Sequence, residues 1–555
     1  MAIPILLFAI AFLARAGSAL LFADAGYPDA YYYASVASSL AGGRGFEVDY
    51  IWSFIDVGGM LPAEGMLPIA SNAHWMPLAA LIQVPALWLL GNTPVAAALP
   101  FWIASGLTAA LTWRIGRDAG LATWPSAAAG LLVALPGGLA PYLGQPDNFA
   151  IFMLLGALAL WLCARGLQGD RRAFAAGGIV VGLATLSRTD GALLGVPYAL
   201  GFATSLVAGR GGARPRIEWR TAALCAAGFA IVVAPWLLRQ LDVFGSILPS
   251  GSGGRILWAI EHDDIFSVTA ETTPTAFFRQ DLETLVAGRL GGLGAALVIF
   301  AVMPLVGLLV PFFLVEAWRR RRSVVFAPYF VYAAALLSAT LLLFALYVTH
   351  GFFIHSAVAL VPHAYVLAVG GIGTVVAWVA RRRAHWQPTR ASHAVTAMIV
   401  GVIAMAALFA TTATIRAWTQ EAENRRPLLG ALAEVAHPAD RVMSPDPGAY
   451  RYHGGWSGIV TPNDPLPVVE EAMRRYEVRW LALESDHIVR SLVPVLTGEV
   501  RPAWLSEPIA VVDREPIRTD DQSTDGVAAR TPAEDAPRAA LYAVCLDASD
   551  RRCDR

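Results

Sequence analysis

Runs of about 20 mainly apolar residues recur through the first 415 positions of the chain, and one such run is what an α-helix needs to cross a hydrocarbon core about 30 Å thick. Backbone that enters lipid must satisfy its own hydrogen bonds, so repeated runs of this kind dictate helices. About eleven spans are predicted, near residues 2–23, 95–113, 121–141, 149–164, 173–187, 191–209, 221–238, 292–317, 324–348, 357–380 and 394–415. The stretch 77–91 reads as an interfacial helix or one further span. Only 15% of the residues are charged, where a soluble protein carries roughly 25%, so residues 1–415 are expected to form an all-α polytopic membrane bundle. All 41 basic residues are arginine, which excludes a lysine Schiff base and a P-loop lysine. Four cysteines without a CxxC pair exclude a thiolate zinc site. A net charge of −1 gives no basis for a nucleic-acid partner.

The loops are asymmetric. Alternate loops hold seventeen arginines on one side, in clusters such as Arg319 to Arg322 and Arg381 to Arg383, and six on the other. The positive-inside rule then predicts a multi-pass protein of the cell membrane with a cytoplasmic N-terminus. Residues 24–94, 142–148, 188–190, 239–291, 349–356 and everything after about 416 are expected outside. The first apolar run lacks a basic leader and contains Arg15, so it reads as a retained anchor.

From about 416 the composition becomes that of a soluble domain. Short apolar runs around Val442, Ile459, Leu481, Val511 and Leu541 alternate with helical patterns at 465–476 and 487–496, which predicts a small extracytoplasmic α/β domain over 416–555. The polar stretch 513–537 reads as a disordered insertion. Cys545 and Cys553 lie on the expected outer side, where a disulfide between them is chemically permitted.

An ionisable group at membrane depth costs several kcal/mol unless it is paired or hydrated, so those that persist are functional candidates. Asp29, Asp147, Arg188, Arg239 and His355 all fall at the outer ends of spans, where bundled helices would bring them to one polar cavity. Each also has a plainer reading. Asp29 follows Pro28 at a helix start, where the dipole favours a carboxylate. Asp147 is a good helix cap. Arg188 is close enough to pair with Asp190, and Arg239 with Asp242; His355 is a capping candidate. Arg15 either reaches the cavity or binds a backbone carbonyl.

Several phrases resemble the GT-C superfamily, polytopic glycosyltransferases that use polyprenyl-phosphate sugars, in its protein mannosyltransferase and aminoarabinose transferase branch. The first outer loop begins with Asp29 and Tyr31 and runs through a small-residue helix to Leu40-Ala41-Gly42-Gly43-Arg44-Gly45-Phe46. His74-Trp75-Met76-Pro77-Leu78, Gly182-Leu183-Ala184 with Arg188 and Gly191, Pro235-Trp236 with Arg239 and Phe244-Gly245, and Gly351-Phe352-Phe353-Ile354-His355 follow in the family's order. The resemblance implies a GT-C-like catalytic module over 1–415, including outer loops 24–94 and 239–291. It also implies inverting transfer of one sugar from a polyprenyl-phosphate donor to an extracytoplasmic glycan, lipid or protein hydroxyl.

In that scheme Asp29 is the catalytic carboxylate, Asp147 a second acid for acceptor or metal, and Arg188, Arg239 and His355 the donor-phosphate ligands. Mg²⁺ or Mn²⁺ between two carboxylates is compatible with the pattern, although no dense acidic cluster is present. The WWDYG-type phrase of oligosaccharyltransferases is absent, which argues against transfer of a whole glycan to asparagine. A lipid-linked sugar flippase or transporter and a surface-polysaccharide polymerase or ligase are the rival readings. The first requires symmetric halves and the second one large late loop, and no internal repeat is visible.

Overall fold

The structure is a computed structural model that describes residues 2–207, 217–249, 255–383, 387–513, 537–547 and Cys553. The predicted insertion at 513–537 lies, apart from its two end residues, outside the described residues. The chain forms two compact units. One comprises Met1–Ala25, Trp75–Val243 and Gln280–Ile415; the other comprises Gly26–His74, Phe244–Arg279 and Arg416–Arg555.

The first unit is all-helical. Among the described residues nine helices are long and apolar enough to cross a membrane, and a bent pair, Thr123–Ala134 with Gly137–Gly144, makes a tenth. This is a multi-pass membrane protein. Leu224, Ile231 and Leu238 on helix Trp219–Phe244, and Met405, Leu408 and Phe409 on helix Pro388–Val435, lie exposed. Large apolar side chains in that position are at home only against lipid. Phe352–Ala380 is almost wholly enclosed, whereas Leu282–Val302 has few buried residues, Gly292 and Ala296. Close packing of helices depends on missing side chains: a Cβ on Gly178 would fall on the Cys225 carbonyl, and one on Gly371 on the Phe312 carbonyl.

Several spans differ from their predicted form, each for a local reason. The run 121–141 bends by 45°, because Pro136 and Gly137, with φ +57°, cannot continue a helix. The run 173–187 is helix Arg171–Ser187, whose 17 residues fall short of the roughly 20 a span needs. It ends where Arg188 turns extended (φ −151°), and a 3₁₀ segment, Thr189–Gly195, follows. The run 292–317 is two helices, Leu282–Val302 and Val310–Arg320, separated at Val306 and Gly307, both with positive φ. The stretch 77–91 forms only Leu78–Leu81 and Val84–Leu90, with Trp88, Leu89 and Leu90 exposed, as befits an interfacial element.

The second unit is built on strands β1 (Glu47–Val48), β2 (Tyr50–Ile51), β3 (Ile69–Ala70), β4 (Arg441–Ser444), β5 (Ser457–Val460), β6 (Val478–Glu484), β7 (Leu505–Val512) and β8 (Ala539–Val544). β1 and β3 pair with each other; the other six form one sheet in the order β2-β5-β4-β6-β8-β7. β2, β5, β4 and β6 run parallel, while β8 and β7 are antiparallel. Both faces are covered, as a parallel sheet requires. Leu428 and Leu432 of the long helix and Tyr450 pack with Val442 and Trp480 on one face; Val469, Met473 and Leu496 pack with Met443 and Leu481 on the other.

The edge strand β2 comes from the segment 26–74, with Tyr50 opposite Gly458. Asp464 fixes the 244–279 segment, accepting hydrogen bonds from Ser267 Oγ at 2.7 Å and the Val268 and Thr269 amides at 2.8 and 3.1 Å. Cys545 and Cys553 are disulfide-bonded.

Asp56 is buried in this unit at 6% exposure. Burial raises its carboxyl to about 8, and the nearby Trp52 indole offsets this only in part. In the unfolded chain an aspartate ionises near 4. Between about pH 4 and 8 the unfolded chain therefore releases a proton that the fold retains, and stability falls as pH rises. The expected slope is about 1.4 kcal/mol per pH unit at most. Thermal melting of Asp56→Asn across this window is expected to lose that slope; an Asp56→Asn profile parallel to wild type would assign the slope elsewhere.

Candidate active site

In the first unit, three helix starts and breaks gather polar groups. Asp147 is extended (φ −137°, ψ 172°) and caps helix Asn148–Leu167, its carboxylate accepting from the Asn148 amide. The turn before it is fixed from two sides: Trp102 Nε1 donates to the Gly144 carbonyl at 3.0 Å and Ser105 Oγ to the Leu143 carbonyl at 3.2 Å. Arg15 donates to the carbonyls of Ala134 and Ala140, which the bend in the preceding helix leaves without helical partners. Arg15 is thus a structural residue that binds backbone. Asp147 is fully buried, and a carboxylate there is favoured by the helix N-terminus it caps.

His355 stands on helix Phe352–Ala357, which starts at Gly351 with φ +93°. Its Nδ1 lies 2.8 Å from Asn148 Oδ1 and 3.8 Å from Asp147 Oδ2, and its ring stacks on Phe149 at 3.7 Å. The Asn148 carbonyl places the proton on Nδ1, so Nε2 is the basic nitrogen of the neutral ring. Arg188 sits at the break after helix Arg171–Ser187. Its Nε donates to Asp190 Oδ1 at 3.0 Å, and its guanidinium lies over the Phe352 ring at 5.7 Å. Ser356 Oγ donates to the same Asp190, and Tyr332 Oη donates to the Ser356 carbonyl at 3.0 Å.

Three of the five predicted residues, Asp147, Arg188 and His355, are therefore joined through helix Phe352–Ala357. The plainer readings of two of them are also present, since Asp147 caps a helix and Arg188 pairs with Asp190. Asn148, Phe149, Ser356 and Tyr332 complete the group and carried no signal of their own in the sequence, apart from the first three lying close to Asp147 or His355. Arg239 lies on helix Trp219–Phe244, where it donates to Gln240 Oε1 at 2.6 Å and lies over Trp236 at 5.0 Å. The expected ion pair of Arg239 with Asp242 does not form among the described residues; Gln240, the adjacent residue, takes the guanidinium instead.

The fixed charges of this group are one arginine against Asp147 and Asp190. A phosphate would meet net repulsion unless further positive charge were present. The Asp147 carboxylate and an imidazole nitrogen of His355 lie within 4.8 Å of each other, one hard oxygen and one nitrogen that suit Mn²⁺ as well as Mg²⁺ as two of a divalent cation's ligands. Asn148 is then the outer partner that orients the histidine.

In the second unit, Asp29 occupies the first turn of helix Pro28–Ala41, where Pro28 sets the entry and the helix dipole favours the carboxylate. Gly26 sits against Trp418 so closely that a Cβ would fall 2.4 Å from the indole, which leaves glycine as the residue that fits before this helix. The tyrosines that follow are core: Tyr31, Tyr32 and Tyr33 are all buried, and Tyr32 Oη accepts from the Asn72 amide at 2.7 Å.

Residues 74–238, which include Asp147 and Arg188, match the family described as dolichyl-phosphate-mannose-protein mannosyltransferase. No curated protein matches the sequence at a significant level. Among solved structures, ArnT from Cupriavidus metallidurans bound to undecaprenyl phosphate is similar over 97% of both chains, with 13% identity and a TM-score of 0.57. Its apo state gives 13% identity, 97% coverage of both chains and a TM-score of 0.53. An oligosaccharyltransferase from Archaeoglobus fulgidus is similar over 90% of this chain and 70% of its own, with 14% identity and a TM-score of 0.49. The family match over residues 74–238 and the fold shared with ArnT over nearly the whole chain give one answer: this protein has an ArnT-like fold, that of the GT-C membrane glycosyltransferases.

Proposed function

We propose that this protein transfers a single sugar from a polyprenyl-phosphate carrier to a hydroxyl of a cell-envelope glycan, lipid or protein, outside the cytoplasm and with inversion. The observation that supports this most is the grouping of Asp147, His355 and Arg188 within a unit of GT-C fold. The ArnT structure with undecaprenyl phosphate supports the choice of carrier. A cytoplasmic N-terminus follows from the arginine asymmetry, and the Cys545–Cys553 disulfide favours an oxidising compartment for the second unit.

Displacing a phosphate from an anomeric carbon requires a base at the acceptor and positive charge at the leaving group. In this reading Asp29 orients and deprotonates the acceptor hydroxyl, and Arg188 and Arg239 hold the donor phosphate. His355 donates to the phosphate from Nε2 as the imidazolium, or uses that nitrogen with Asp147 to hold a divalent cation. A bound cation would offset the charge of the leaving phosphate.

The protein in nanodiscs, supplied with radiolabelled polyprenyl-phosphate pentose, hexose and amino-sugar donors and an envelope extract, is expected to release polyprenyl phosphate from one donor class. Chelation with EDTA is expected to slow that release, with recovery on adding Mn²⁺ or Mg²⁺. If no donor is cleaved and the intact lipid instead crosses vesicles containing the protein, the transporter reading replaces this one.

A further inference from the structure

The segment that carries Asp29 is held by the C-terminal part of its own unit at two points, both on helix Pro447–Gly454. Tyr31, two positions after Asp29, is 3% exposed. Its ring lies 5.3 Å from that of Tyr452 and 5.5 Å from that of His453, whose Nε2 is 3.4 Å from the phenol oxygen. A Cβ built on Gly448 would stand 3.3 Å from Tyr31 Cβ, so the two helices meet backbone to side chain. Midway along the segment, Asp49 pairs with Arg451 of the same helix at 2.7 Å and with Arg44 at 2.9 Å.

The placement of helix Pro447–Gly454 depends in turn on a buried ion network. Asp446 caps it, accepting from the Ala449 amide at 3.2 Å. Asp446 and Glu484 follow and end the neighbouring parallel strands β4 and β6, and between them lies Arg425, 2% exposed, from the long helix Pro388–Val435. Arg425 Nε donates to both Glu484 oxygens at 3.1 and 3.0 Å, Nη2 lies 3.6 Å from Asp446, and Nη1 lies 3.8 Å from Glu421. Leu428, Leu432, Trp456 and Trp480 already supply an apolar core on this face. A methionine at 425 would fill the same space, so packing alone does not call for the charge. A buried ionic network of this kind specifies one arrangement among several that packing would tolerate.

We propose that Arg425, Asp446 and Tyr31 are positioning residues for the transfer reaction: the sheet of the C-terminal region sets where Asp29 stands by fixing helix Pro447–Gly454, which in turn holds Tyr31. This rests on the reading of Asp29 as the acceptor base. It gives the C-terminal region a role in turnover without contact with the reacting atoms. A displacement of about 1 Å at a reacting group costs up to about 100-fold in rate, so small shifts of Pro28–Ala41 suffice.

The test uses the full-length protein in nanodiscs and three readouts: kcat, the Kd for radiolabelled undecaprenyl phosphate, and hydrogen exchange of residues 28–41. Arg425→Met and Tyr31→Ala are each expected to lower kcat by about 10-fold or more, to leave lipid Kd within about twofold, and to speed exchange of 28–41. Arg425→Lys, which keeps the charge, is expected to recover most of kcat. Should Arg425→Met fail to bind lipid, Tyr31→Ala carries the test from the other side of the contact. Unchanged exchange and unchanged kcat in a variant that binds lipid normally would overturn the proposal. Faster exchange, with Asp29→Asn as active as wild type, would instead overturn the role of Asp29 and leave the coupling standing.

Discussion

Asp29→Asn is expected to lower kcat by about 10² to 10⁴-fold, the usual loss when a general base is removed, while binding of the donor lipid stays near wild type. The amide is the same size as the carboxylate and keeps an oxygen at the helix N-terminus, so the fold is preserved. It cannot accept the acceptor's proton. Single-turnover release of polyprenyl phosphate, measured beside equilibrium lipid binding, separates the two effects. A loss below about fivefold, far short of what a base contributes, would move the base to another residue, with Asp147 next in line.

Arg188→Met is expected to weaken binding of undecaprenyl phosphate by about 10- to 100-fold, in keeping with one lost charge-assisted contact of about 1.5–3 kcal/mol. It should also destabilise the first unit, because Asp190 is nearly buried beside it, with side-chain exposures of 14% for Arg188 and 11% for Asp190. Breaking one partner of such a pair costs up to about 3–5 kcal/mol. The double variant Arg188→Met/Asp190→Asn distinguishes the two roles. It is expected to regain most of the melting temperature and none of the lipid affinity. If affinity returns together with stability, Arg188 is a structural ion pair and Arg239 is left as the arginine for the donor phosphate.

The membrane bundle was legible because its driving force is written directly in the order of residues: apolar runs of span length, and arginine clusters between them. What was not legible came from backbone interruptions within those runs. Pro136, Gly137, Val306 and Gly307 break helices inside stretches whose hydropathy is uniform. Hydropathy averages over such points; of about eleven predicted spans, nine or ten are long and apolar enough among the described residues, and the run 173–187 falls outside because helix Arg171–Ser187 has only 17 residues.

Asp147 and His355 were each visible as isolated polar residues at span ends. Their meeting depends on Asn148 and Phe149, separated from His355 by more than 200 positions, and no local pattern encodes that. A small α/β domain was expected from alternating runs and helical patterns after 416; the parallel order β5-β4-β6 within it was not. The edge strand β2 was not, since Tyr50-Ile51 is too short to announce itself. Arg425, on a helix whose preceding turns read as a membrane span, gave no sign of being buried between two strand ends.

The pairing of Tyr50 with Gly458 also bears on how the protein is made. The strand that precedes most of the membrane helices has no sheet to join until the ribosome has produced nearly the whole chain. Contacts this distant in sequence form late and slowly. The segment bearing Asp29 must therefore wait without its strand partner while the later helices are made. Order of manufacture thus sets the order of assembly: a half-built chain can reach the membrane, but strand β2 completes its sheet only after β5 has been made.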